Sequence, residues 1–204
     1  KVHNAARTSS GPVEICATRF SNTIREVGQN GRRGALMLSM DINHPSAEEF
    51  MDAKMEDGKI TGANISVKLY DEWMKSALGI DCEMDKEKNR LWKKIIHNAT
   101  TKAEPGVLFW DTILRESPAD CYSDFGFKTI STNPCGEIPL AAGDACRLMS
   151  LDLYSYVDSP FTNDASFNFD KFIKHAKLSI KLMDNMIDLE NEKIDKIWAK
   201  IESD

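Results

Sequence analysis

The chain has 204 residues, 42% of them hydrophobic, enough to bury a genuine core. Its net charge of −6 argues against direct binding of nucleic acid, which calls for a basic surplus. No apolar run approaches the roughly 20 residues needed to cross a bilayer and nothing at the start reads as a signal peptide, so no membrane partner and a cytoplasmic location are expected.

Gly11-Pro12 opens a helix expected to reach about Val27, with Val13, Cys16, Ala17, Phe20, Ile24 and Val27 recurring at three-to-four spacing. Gly28 and Gly31 end it. The stretch Gly28 to Gly34 follows a helix and precedes a strand, the wrong order for a dinucleotide-binding loop, so its glycines read as turn geometry and Arg32 and Arg33 as candidate ion-pair partners. Ala35 to Met40 is a short apolar run between turn residues, the pattern of a buried strand. Ser46 with Glu49 forms a capping box that predicts a helix to about Lys54.

Ile65 to Leu69 reads as the next strand, and Asp71 as the cap of a helix carrying Trp73, Met74 and Leu78. Lys86 to Lys102 predicts a helix with Leu91, Trp92, Ile95, Ile96 and Ala99 on its buried side, before Pro105-Gly106 turns the chain into a strand over Val107 to Trp110. From Asp170 the chain is helical, with Phe172, Ile173, Ala176, Ile180, Met183 and Ile187 on one face. A further amphipathic piece carries Ile194, Ile197, Trp198 and Ile201. The charged runs Asp85 to Lys94 and Glu190 to Lys200 read as solvated helix faces. No repeat or Pro-rich linker interrupts the chain, so a single domain is expected, and the alternation of elements implies an α/β fold with mainly parallel strands.

The stretch richest in chemistry is Thr132-Asn133-Pro134-Cys135-Gly136-Glu137-Ile138-Pro139-Leu140. In an extended segment Asn133, Cys135 and Glu137 emerge on one side, bringing an amide, a thiol and a carboxylate together. A structural origin is the default for an isolated Asn-x-Cys-x-Glu, since Asn-Pro and Cys-Gly are ordinary turn material and a lone cysteine is usually a small hydrophobe. The five cysteines (Cys16, Cys82, Cys121, Cys135, Cys146) show no CxxC or Cys/His cluster, so no metal site is expected, and reduced thiols suit a reducing compartment.

The string from Thr132 to Pro139 resembles the active-site loop of ribonucleotide reductase large subunits. Thr8-Ser9-Ser10-Gly11-Pro12-Val13, Asn30-Gly31-Arg32-Arg33-Gly34-Ala35-Leu36-Met37 and His44-Pro45 with Glu48-Glu49-Phe50 are also similar to that family. So are Thr61-Gly62-Ala63-Asn64-Ile65-Ser66-Val67, Glu104-Pro105-Gly106-Val107-Leu108-Phe109 and Cys146-Arg147-Leu148-Met149-Ser150-Leu151. The resemblance implies that residues 1–204 are an internal part of a ten-stranded α/β barrel, with the active-site cysteine on a central finger loop and further parts of the subunit on either side.

It also implies reduction of ribonucleotides, ribonucleoside diphosphates by preference, to 2′-deoxyribonucleotides for DNA synthesis. Hydroxide is a poor leaving group, and a radical at C3′ eases loss of the protonated 2′ oxygen as water. By resemblance Cys135 carries the thiyl radical, Glu137 accepts the 3′-hydroxyl proton, Asn133 orients the hydroxyls, and Cys146 is one half of a redox-active cysteine pair whose partner lies upstream. Cys16, Cys82 and Cys121 match no redox position.

The stretch Gly58 to Asn64 resembles a loop that relays allosteric specificity, with Asn64 its candidate residue; a plain exposed turn fits as well. The wording of the loop, and the ten residues between Cys135 and Cys146, are similar to the adenosylcobalamin-dependent (class II) type. The alternative is a class I subunit whose radical comes from a di-metal small subunit; the glycyl-radical type fits less well. Implied partners are a ribonucleotide, nucleotide effectors bound largely elsewhere, a thioredoxin-like or dithiol reductant and the remainder of the subunit, with a homodimer compatible. Two readings from other classes remain: a cysteine hydrolase with His97 or His175 as base, and a segment that is non-catalytic by itself.

Overall fold

The computed structural model describes residues 11–27, 31–32 and 34–203, without the side chains of Lys196, Ile197, Ile201 and Ser203. Thr8, Ser9, Ser10, Gly28, Asn30, Arg33 and the side chains of Ile197 and Ile201, all used above, lie outside the described residues. The chain divides into two compact units, Lys1–Cys146 and Arg147–Asp204.

In the first unit β1 (Met37–Asp41), β2 (Asn64–Leu69) and β3 (Gly106–Phe109) form a parallel sheet in the order β1-β2-β3. Parallel neighbours need long crossovers. These are α3 (Ala47–Asp52) between β1 and β2, then α4 (Asp71–Leu78) and α5 (Lys86–Lys102) between β2 and β3. The expected α/β class is therefore present.

Strand β2 reads Asn64-Ile65-Ser66-Val67-Lys68-Leu69, and the alternation divides it into two faces. Ile65, Val67 and Leu69 are buried against Phe50 and Met51 of α3, Trp73 and Ala77 of α4 and Ile95 of α5. Full burial of each large apolar side chain contributes about 1.5–3 kcal/mol. The register puts Met37, Ser39 and Asp41 of β1 and Gly106 and Leu108 of β3 on the opposite face, with Asn64, Ser66 and Lys68. That second, more polar face receives the hairpin described below.

The first helix is not the uninterrupted one expected from Pro12 to Val27. It consists of α1 (Pro12–Ile15), a π-helical turn (Cys16–Phe20) and α2 (Ser21–Glu26). The Thr18 and Thr23 hydroxyls donate to the carbonyls of Glu14 and Arg19, each at 2.8 Å, and such back-bonding competes with regular helix geometry. The apolar stripe is buried at Val13 and half-buried at Cys16, Ala17 and Ile24, but Phe20 and Val27 are exposed. Burial pushes the Cys16 thiol up, which makes it a poor nucleophile.

The helix ends correct two expected caps. Ser46 makes no side-chain cap on α3; its N–H donates to His44 Nδ1 at 3.1 Å, so the box with Glu49 does not form. Asp71 lies in the first turn of α4, after the N-cap residue Tyr70, and its own N–H donates to Asp111 Oδ2 at 2.7 Å. Helix α5 matches its expected bounds. Asp85 caps it by accepting from the N–H groups of Glu87 and Lys88 at 2.9 and 3.1 Å. On its inner side Ile96 is exposed and Asn98 is buried instead, its amide donating to Met51 O and Asp52 Oδ1 at 3.0 and 2.9 Å. Trp110 opens α6 (Trp110–Glu116) rather than ending β3.

The second unit has a 3₁₀ turn (Leu153–Tyr156), an antiparallel pair β6 (Val157–Asp158) and β7 (Ser166–Phe167), and α7 (Phe169–Ser203). Helix α7 is one element where two pieces were expected. Tyr156 is its packing centre, with the rings of Phe167, Phe172 and His175 at 6.1, 5.3 and 5.6 Å. Phe172, Ala176 and Met183 are half-buried, but Ile173, Ile180 and Ile187 of the expected buried face are exposed. No described helix is long and apolar enough to cross a membrane.

Candidate active site

The stretch from Thr129 to Ala141 is a hairpin, with β4 (Thr129–Thr132) antiparallel to β5 (Pro139–Ala141). Its start is pinned to a 3₁₀ turn (Pro118–Phe125): Asp120 Oδ1 accepts from Thr129 N–H at 3.1 Å and Oδ2 from its hydroxyl at 2.5 Å. Desolvation opposes ionisation of Asp120, yet these Thr129 bonds, with one from Ser117, hold its carboxyl below the ordinary range.

The hairpin is stitched to the polar sheet face by three side chains. Lys68 Nζ donates to Ile130 O at 2.6 Å and lies 3.6 Å above the Trp110 ring, where burial lowers its pKa. The Ser39 and Ser131 hydroxyls meet at 3.2 Å, and Asn64 Nδ2 donates to Pro134 O at 2.7 Å. Lys68 lies late in β2 and Asn64 begins it, so β4 runs against the sheet strands and its tip reaches their N-terminal ends. Open α/β sheets ordinarily bind ligands at the carboxyl ends; here the hairpin carries Cys135 to the other end.

Residues 133–138 are the tip, and this corrects the expectation of an extended segment with three side chains on one side. Gly136 N–H donates to Asn133 O at 3.0 Å, closing a turn with Pro134 and Cys135 at its centre. Proline favours the second position of such a turn, and Gly136, at φ +85°, adopts a conformation that costs a residue with a Cβ. Asn133 N–H donates to Ile138 O at 3.1 Å, and Ile138 N–H returns a 3.0 Å bond to Asn133 Oδ1. Asn133 is thus buried and holds the loop shut with its side-chain oxygen, leaving its Nδ2 without an acceptor among the described residues.

Cys135 and Glu137 are exposed on the tip, and among the described residues no hydrogen bond or ion pair engages the Glu137 carboxylate. The thiol opens onto a cleft of about 270 Å³ lined by Met37, Asn64, Ile65, Ser66, Ala103, Glu104, Gly106 and Pro134. No histidine lines it. Of the two bases named for a cysteine hydrolase, His97 is exposed on α5 and His175 shares a 3.1 Å hydrogen bond between its Nδ1 and Tyr156 Oη. Cys146, half-buried in the irregular stretch after β5, is a free thiol, as are Cys16, Cys82 and Cys121.

Asn64, expected at the end of a loop or exposed turn, is the first residue of β2 and a contact of the hairpin tip. The pair Lys54–Glu104 next to it was not anticipated. Lys54 Nζ donates to Glu104 Oε1 and, at 2.7 Å, to Ala63 O, while Glu104 Oε2 accepts from Ile65 N–H at 2.8 Å. The signal that could have found these contacts is the polar series Asn64, Ser66, Lys68 in an otherwise apolar strand. A strand buried on both faces has no use for it.

The family model described as "Ribonucleotide reductase, barrel domain" matches residues 1–85 and 81–203. The vitamin B12-dependent ribonucleoside-diphosphate reductase of Thermoplasma acidophilum is 31% identical over 203 residues, covering 93% of this chain and 25% of that protein. The protein of the same name from Mycobacterium tuberculosis H37Rv is 27% identical over 202 residues, covering 93% and 27%. The vitamin B12-dependent ribonucleotide reductase of Streptomyces clavuligerus is 29% identical over 212 residues, covering 86% and 22%. The chain spans about a quarter of the length of these relatives. It belongs to the ribonucleotide reductase barrel-domain family.

Proposed function

We propose that residues 1–204 are part of the catalytic barrel of an adenosylcobalamin-dependent ribonucleotide reductase, with the β4–β5 hairpin as its central finger. The observation that carries this reading is the exposed thiol of Cys135 at the hairpin tip, facing an open cleft and two residues from an exposed carboxylate with no partner among the described residues. The names of the relatives favour cobalamin over a di-metal small subunit and a ribonucleoside diphosphate as substrate.

The Cys135 sulfur, as a radical, takes the 3′ hydrogen atom: an S–H bond forms, the C3′–H bond breaks, and the radical passes to the sugar. Glu137 accepts the 3′-hydroxyl proton and later returns it to the 3′ oxygen, and the 2′ oxygen, protonated by a thiol of the redox pair, leaves as water. Asn133 Nδ2 orients the hydroxyls from a loop that its own oxygen keeps closed. Cys146 and a cysteine upstream of this chain supply two electrons and two hydrogens, one leaving in the water and one ending on C2′, and become a disulfide, which a thioredoxin-like protein or small dithiol reduces. Return of the hydrogen atom from Cys135 to C3′ restores the sulfur radical.

Adenosylcobalamin supplies, when bound, the first radical. What it requires of this chain is a thiol reachable from open space, which Cys135 provides. Cys135 is the residue of this chain on which that radical would be placed. Nucleotide effectors, the remainder of the subunit and a second copy of it are the further partners in this reading.

The test is an assay of the full-length parent enzyme for ribonucleotide reduction with adenosylcobalamin and dithiothreitol alone. Deoxyribonucleotide formation is expected. Silence relieved only by a metal-containing second subunit would replace cobalamin by the class I alternative.

A further inference from the structure

Asn64 is the side chain outside the hairpin that bonds to the backbone of its reactive turn. Its Nδ2 meets the carbonyl of Pro134, the oxygen of the peptide unit whose nitrogen belongs to Cys135. The orientation of that unit sets the direction in which the thiol leaves the backbone.

The base from which Asn64 acts is itself held on three sides. Its N–H donates to Leu36 O of the neighbouring chain segment at 2.8 Å. The preceding carbonyl, Ala63 O, accepts from Lys54 Nζ, and the following amide, Ile65 N–H, donates to Glu104 Oε2. Lys54 and Glu104 are paired to each other and mostly shielded, with side-chain exposures of 18% and 21%. The preceding turn is fixed as well: Gly62 N–H donates to Ser21 Oγ at 2.8 Å, and a Cβ at Gly62 would fall 2.2 Å from Ser21 O. An exposed amide on a floppy segment would exchange its carbonyl for water, whereas one on a fixed base can restrain a loop.

We propose that Asn64 is a positioning residue for Cys135. Clamped by the Lys54–Glu104 pair, it holds the turn so that the sulfur points into the cleft at one distance and angle. This rests on Cys135 being the reacting group. Hydrogen-atom transfer falls steeply with donor–acceptor distance, and a misplacement of about 1 Å can cost about 100-fold in rate.

The test compares the full-length parent enzyme with Asn64→Asp, which keeps the side chain's size but replaces the donor by an acceptor facing Pro134 O. The expected result is a kcat lower by about 10- to 100-fold with KM within about twofold of the parent's, the pattern of an interaction needed in the transition state. Alkylation of Cys135 by iodoacetamide, followed by peptide mass spectrometry against the exposed Cys82 as internal reference, should accelerate severalfold as the turn loosens. Should Asn64→Asp fail to fold, Asn64→Ser, too short to reach the carbonyl, serves the same purpose. Parental kcat together with parental Cys135 alkylation would overturn the proposal. The radical reading fails separately, if Cys135→Ser turns over normally; an inactive Cys135→Ser beside a fully active Asn64→Asp refutes only the positioning role.

Discussion

Three residues of one turn divide their labour by where each side chain ends. Asn133 is buried and bonded across the loop to Ile138, so it sets shape first and can offer only its Nδ2 to a ligand. Cys135 and Glu137 are exposed and can meet a substrate directly. The nine-residue string singles out all three as candidates, but their geometry was not legible in it: alternation along a strand does not apply where Pro134 and Gly136 bend the chain into a turn. The redox role proposed for Cys146 rests on resemblance alone, because nothing in its spacing distinguishes a redox thiol from a buried one. Without any reductant the full-length parent should form about one deoxyribonucleotide per active site, whereas its Cys146→Ser variant should form less than one unless a small dithiol can reach the cleft. Quenched-flow product counts check this, and sustained parental turnover with the protein reductant alone would remove Cys146 from the electron path.

At the scale of elements, the apolar periodicity located α5 and the three sheet strands to within a residue or two, since their buried faces are long and regular. Caps were less legible because their partners are distant in sequence. Asp111 reaches the first turn of α4 from forty positions away, and no local pattern encodes that. The same holds for the link between α3 and α5. Glu48 receives two bonds from Arg90, each 2.7 Å, and lies 2.8 Å from Lys94, which also reaches Asp52 at 2.6 Å. Hydrogen bonds from Arg90 and then Lys94 hold the Glu48 carboxyl down at about 2, against an ordinary value of 4.5.

The folded-state pKa is thus depressed, so the stabilisation is complete above about pH 4.5 and is lost as pH falls towards about 2. The pair is well exposed, so its contribution is small and screened by salt. A Glu48→Gln variant should unfold at a slightly lower temperature than the parent near pH 7, the gap closing as pH drops through that window. Thermal unfolding by circular dichroism at low ionic strength reads the gap, and a pH-independent difference would mean that the bonds to Arg90 and Lys94 are not what Glu48 contributes.

For the whole molecule, the parallel sheet has the crossovers of an α/β fold, and one of its faces receives the β4–β5 hairpin rather than a second helix layer. The apolar series on α7 was correctly legible as a helix face, yet Ile173, Ile180 and Ile187 are exposed. Periodicity reports that a face is apolar and not what covers it. In a chain spanning about a quarter of its relatives' length, a barrel assembled from further strands would provide such cover. The central claim nevertheless stands on one sulfur and one hydrogen atom. It is tested most directly by giving the full-length enzyme a ribonucleotide deuterated at C3′, alongside its Cys135→Ser variant. A primary isotope effect on product formation is expected for the parent, and no deoxyribonucleotide from the variant, with nucleotide binding retained. Deoxyribonucleotide formed by Cys135→Ser at the parental rate would contradict it.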